Sequence, residues 1–140
     1  MTSDQRDALR QQLRRHEGWE AKPYTDTVGK LTIGCGRNLT DRGLTDPEIR
    51  YLLDNDINDC INALTTFLWF PDLDPIRQRV FVDLCFMGIG RLRGFVKMLA
   101  ATERRDWPTA AAELRDSKYA TQVGQRAVTL ARMLETGEEA

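Results

Sequence analysis

The period of the apolar residues changes twice in the first third of the chain, around the stretch His16 to Asn38, and this limits the chain to a mixed fold. Upstream, Ala8, Leu9 and Leu13 form a narrow stripe at helical spacing, with Thr2 or Ser3 as N-cap. A helix is therefore expected from about Asp4 to Arg15, delivering Glu17 at its end. From Tyr24 onward, β-branched and aromatic residues alternate with polar ones, punctuated by Gly29, Gly34 and Gly36. That pattern predicts a hairpin turning near Val28 and Gly29, and Asn38 to Asp41 offers a third short strand. After Gly43 the period returns to that of helices.

Each later helix carries its own start signal. Thr45 with Glu48 three residues on forms a capping box, and Pro47 falls in the first turn. The helix that follows has Ile49, Leu52, Leu53, Ile57, Cys60, Ile61 and Leu64 on one face, and is expected to link two lobes. Asp74 and Pro75 open a segment, Ile76 to Met87, that is apolar around most of its circumference and reads as the core helix. Gly88 and Gly90 are expected to end it. A shorter helix from Leu92 to Ala101 should bury Phe95, Met98 and Leu99, and Asp106, Trp107 and Pro108 should open another running to about Asp116. Gly124 precedes a last helix with Gly137 as its C-cap.

With 140 residues, the chain supports one real core but not two ordinary domains. It contains no apolar run of about 18 residues, so no membrane span is expected. Asp4, Asp7 and several arginines stand where a secretory signal needs an apolar centre, so the N-terminus is expected to be mature structure without an export signal. Cys35, Cys60 and Cys85 are odd in number and form no C-x-x-C pair. Free thiols made in a reducing cytoplasm are expected, with Cys60 and Cys85 serving as small hydrophobes. His16 is the only histidine, which leaves little for a His-ligated metal or a Ser-His hydrolase. Residues 71–134 carry 11 Lys and Arg against 7 Asp and Glu, a net of +4. Such a face suits anionic polymers, or is simply a solvated helical surface.

Asp26 lies nine residues after Glu17, late in the first strand, and Thr32 lies six further on, early in the second. Two carboxyls and a hydroxyl beside a Gly-rich sheet match the needs of glycoside hydrolysis. One carboxyl donates a proton to the leaving oxygen, while the other stays ionised to activate water or stabilise positive charge. The same residues also read as a helix-end charge and a hairpin residue.

The motif EG followed by YTDTVGKLTIGCG resembles that of the phage lysozymes, or endolysins, of glycoside hydrolase family 24, whose T-even members have Glu, Asp and Thr at the same two intervals. Residues 86–114 look like that family's buried helix and the helix after it, and 117–128 like its Arg-bearing segment. Three departures stand out: Arg37 where many relatives have His, Cys35 in place of a bulkier residue, and a short connection from Asn38 to Thr45. The resemblance implies an α+β, lysozyme-like domain over 1–140. A small antiparallel sheet lobe would span about 18–44, a mainly helical lobe 1–17 and about 45–140, and a cleft would lie between them. It implies Glu17 as general acid, partly desolvated by Trp19 and the helical lobe, Asp26 as the second carboxylate, and Thr32 orienting the water. Gly36, Arg37 and Asn38 would line the substrate site, with Met98 and Glu113 opposite, and Arg126 would pair with Glu17. It further implies peptidoglycan as substrate, a monomer needing no cofactor or metal, no nucleic acid partner and no stable insertion into a membrane. Synthesis in the host cytoplasm and release to the wall by a separate holin complete the expectation. Two alternatives stay open: a lytic transglycosylase, and a non-catalytic helical module binding sugar or nucleic acid.

Overall fold

The structure, a computed structural model, describes residues 1–140. Its architecture is α+β: a three-stranded antiparallel sheet with one helix before it and seven after it, eight α-helices in all. The chain divides into two compact units, 1–51 and 52–140. The first contains helix α1 (Ser3–Glu17), strands β1 (Glu20–Thr25), β2 (Leu31–Gly34) and β3 (Arg37–Asn38), and the start of helix α2 (Asp46–Leu64).

Thr2 caps α1, its hydroxyl accepting from the Gln5 amide at 3.2 Å while the Gln5 side chain accepts from the Thr2 amide at 2.7 Å. This reciprocal pair satisfies two donors that a helix end leaves without partners. α1 ends at Glu17 because Gly18 departs from helical geometry while still donating to Arg14 at 3.0 Å. The sheet order is β1-β2-β3, with Thr32 paired to Tyr24 on one side and Asn38 on the other. Pro23 is tolerated because β1 is an edge strand, and a register irregularity falls between Glu20 and Tyr24. The third strand is Arg37–Asn38 rather than Asn38 to Asp41. Asn38 and Asp41 instead close a turn, with the Asp41 amide donating to Asn38 Oδ1 at 2.9 Å.

The second unit holds helices α3 (Pro75–Cys85), α4 (Ile89–Arg93), α5 (Val96–Glu103), α6 (Trp107–Arg115), α7 (Lys118–Val123) and α8 (Gln125–Thr136). As expected, α3 is central: Val80, Phe81 and Leu84 are fully buried. Burying each such side chain contributes roughly 1.5–3 kcal/mol. Trp69 packs edge-on to Phe81 at 4.9 Å and stacks on Phe67 at 5.0 Å, extending this core. Arg77 ties α3 to the end of α8, donating to the Leu134 and Glu135 carbonyls at 2.7 and 2.9 Å while lying over the Trp107 ring at 4.0 Å. It thereby serves carbonyls that the helix terminus leaves free.

Four expectations change. The helix expected over Leu92 to Ala101 is two, α4 and α5, separated at Gly94 and Phe95. Gly90 lies inside α4, and Gly88 starts it. Helix α7 was not anticipated; Ser117 caps it through the Ala120 amide at 3.1 Å. Finally, the apolar stripe of α2 is only partly covered: Leu64 is buried, Ile57 and Cys60 are half-buried, and Leu53 and Ile61 are exposed at the rim of a cavity of about 1210 Å³ floored by α3 and α8. No helix is long and apolar enough to cross a membrane.

Candidate active site

The β-hairpin of the first unit brings Asp26 and Thr32 to one peptide. Asp26 follows directly on the first strand, and its Oδ1 accepts from the Val28 amide at 3.0 Å and the Lys30 amide at 2.8 Å. Such side-chain closure of a turn is what an Asp at a hairpin start does best. The Lys30 carbonyl in turn accepts from the Asp26 amide at 2.9 Å and from the Thr32 hydroxyl at 3.1 Å. Thr32 is buried, 4% exposed, in the central strand. The turn thus holds one carboxylate oxygen of Asp26 and fixes the Thr32 hydroxyl beside it, while Asp26 Oδ2 takes no protein hydrogen bond.

Glu17 reaches the same unit from the end of α1. It packs on the turn between β2 and β3: a Cβ added to Gly36 would lie 2.8 Å from Glu17 Oε2 and 3.2 Å from Glu17 Cβ and Cδ. Gly36 has φ +72°, so the turn needs a residue without a side chain for conformation as well as for space. Glu17 is exposed in this structure. Trp19 does not supply the burial expected of it, being 65% exposed with the Arg14 guanidinium 4.6 Å over its ring.

Arg37 and Asn38 follow directly on Gly36. Arg37 donates to Glu48 Oε2 at 2.5 Å, forms a second bond to Glu48 Oε1, and reaches the Gly43 carbonyl at 3.2 Å. This two-pronged pairing fastens the third strand to the start of α2, where Glu48 also accepts from the Thr45 amide at 2.9 Å. The capping box was legible in the sequence; the second duty of its glutamate was not. Asn38 donates to Asp41 at 3.0 Å and shapes the turn that follows.

The Arg37 hydrogen bonds, followed by that from the Thr45 amide, hold the Glu48 carboxyl at about 2 rather than the usual 4.5. A folded-state pKa below the unfolded one means the stabilisation is fully present above about 4.5 and is lost as pH falls towards 2. Glu48→Gln is therefore expected to lower the melting temperature at neutral pH, with the gap to wild type closing through that acidic window. Parallel melting curves over the whole range would contradict this.

In the second unit, Met98 and Glu113 line a cavity of about 540 Å³ together with Arg91, Lys97, Lys118 and Tyr119. Met98 is buried and Glu113 half-buried; the Tyr119 hydroxyl is buried without a partner, and burial raises its pKa. Arg126, on α8, donates to Asp83 Oδ1 through Nε at 2.9 Å and Nη2 at 2.5 Å. Both side chains of this pair are well exposed, at 50% and 40%. Arg126→Ala is accordingly expected to cost no more than about 1 kcal/mol in urea unfolding. A loss of roughly 3–5 kcal/mol would instead mark the breaking of a buried pair. No group of three or more His, Cys, Asp or Glu side chains comes together to hold a metal ion.

Two curated relatives from Dictyostelium discoideum are similar over nearly the full length. "Probable T4-type lysozyme 2" is 29% identical and "Probable T4-type lysozyme 1" 24% identical, each alignment covering 93% of this chain and 95% of the relative. The family model described as phage lysozyme matches residues 14–133, a span that includes Glu17, Asp26, Thr32 and Arg126. With the sheet, the hairpin and the residues on it in place, the chain belongs to the phage lysozyme family, a family of glycoside hydrolases.

Proposed function

We propose that this chain hydrolyses the β-1,4 bond between N-acetylmuramic acid and N-acetylglucosamine in bacterial peptidoglycan, and that it serves to lyse a host cell. The observation that carries the reading is the arrangement in the first unit: Glu17 packed on the Gly36 turn, and Asp26 and Thr32 joined at the Lys30 carbonyl. In this reading Glu17 protonates the leaving oxygen, and the free oxygen of Asp26 activates a water that Thr32 orients. Gly36, Arg37 and Asn38 border the sugar site, and Met98 and Glu113 contact the substrate from the helical part. The enzyme acts as a monomer, made in the host cytoplasm and reaching the wall after release by a separate holin.

The hairpin duty of Asp26 favours one other reading. A lytic transglycosylase needs only an acid, with the sugar's own hydroxyl as nucleophile, and would leave Asp26 to the turn. Digesting purified Gram-negative wall and weighing the fragments separates the two. Reducing ends bearing one added water are expected. Fragments lighter by that water, with anhydro ends, would overturn hydrolysis, and an undigested wall would overturn both.

A further inference from the structure

Cys60 and Cys85 are 25 residues apart, yet the fold of the second unit brings them together. Cys60 sits on α2, half-buried, and Cys85 ends α3, 4% exposed. The Cys85 thiol donates to the Cys60 carbonyl at 4.0 Å, a long contact that places the two residues against one another. Cys35 is on the other unit, exposed in the turn between β2 and β3. All three thiols are free. Cysteines brought together from two different helices are candidates for a crosslink, whereas the sequence spacing alone had suggested that these two stand apart.

We infer that Cys60 and Cys85 form a reversible disulfide that staples α2 to α3 when the protein meets a small-molecule disulfide oxidant. The thiolate of Cys60, the more accessible of the two, attacks the oxidant RSSR, forming a mixed disulfide and releasing one RS⁻. The Cys85 thiolate then attacks the Cys60 sulfur and releases the second RS⁻. Two protein thiols are oxidised, the oxidant is reduced to two thiols, and the protons pass to the released thiolates and solvent. Burial, and then the Cys85 thiol itself, push the Cys60 thiol up to about 12, so the first attack is slow at neutral pH. It should quicken about tenfold per pH unit up to pH 9 as the thiolate fraction rises. The crosslink closes a long loop in the unfolded chain and stabilises the folded one.

The test treats intact protein carrying Cys35→Ser with oxidised glutathione at pH 8.5, quenches with acid, alkylates under denaturing conditions and maps peptides without reduction. The expected product is lighter by two hydrogens, has no alkylatable thiol and yields one crosslinked peptide pair containing Cys60 and Cys85. Its melting temperature should rise by an amount on the order of 10 °C and return on addition of a thiol reductant. Two glutathione adducts on one chain, two thiols still open to alkylation, or a melting temperature that falls on oxidation would each overturn the proposal. Dimers linked through either cysteine would do the same.

Discussion

Glu17→Gln is expected to lower wall hydrolysis by about 10²- to 10⁴-fold, the range that a positioned general acid supplies. The amide keeps the size and shape of the carboxyl and loses the proton it must transfer. Because Glu17 is exposed and no protein group hydrogen-bonds its carboxylate, the substitution removes no structural contact. Stability should stay within about 0.5 kcal/mol of wild type. The pair of measurements therefore isolates chemistry from folding: turbidity clearing of a wall suspension reports the first, urea unfolding the second. Near-normal clearing by the variant would remove Glu17 from the mechanism, whatever the family membership of the chain.

The features legible in the sequence are those written into neighbouring residues. Thr45 and Glu48 declared a helix start because a capping box spans one turn, and Asp74 with Pro75 did the same for the core helix. Tyr24, Thr32 and the glycines between Gly29 and Gly36 fixed the hairpin because alternation and turn residues are local signals. What escaped depends on meetings across the fold. Arg37 finds Glu48 eleven residues on, and Cys60 meets Cys85 only after two helices pack. Helix α7 has six residues, under two turns, too few for an apolar period to show; its one local signal was Ser117 as cap. Gly88 and Gly90 read as stops, yet the backbone freedom of Gly88, at φ +108°, served equally to begin α4, and Gly90 lies within it. At the candidate site the residue types and intervals of Glu17, Asp26 and Thr32 were visible, whereas the closure of the hairpin by Asp26 and the seat of Glu17 on Gly36 required the sheet.

That seat predicts a difference between two glycines of one turn. Gly34 and Gly36 both have positive φ, +68° and +72°, so replacing either with Ala forces an L side chain into left-handed backbone. The conformational cost is roughly 1–2 kcal/mol in each case. Their surroundings differ. A Cβ at Gly34 meets nothing within 4 Å, whereas one at Gly36 comes 2.8 Å from Glu17 Oε2 and 3.2 Å from Glu17 Cβ. The carboxylate tip can swing aside, but the Cβ is tied to the backbone of α1, so the acid is displaced along with its whole side chain. A misplacement on the order of 1 Å costs about 10²-fold in rate. Gly36→Ala is therefore expected to lose about 10²-fold in wall hydrolysis and Gly34→Ala to stay within a few-fold of wild type, with similar losses of stability in the two. Matched kinetics and urea unfolding of both variants check this. Equal loss of activity would show that backbone strain in the turn, rather than contact with Glu17, governs the site, and full activity in Gly36→Ala would show that the acid does not work from where it now rests.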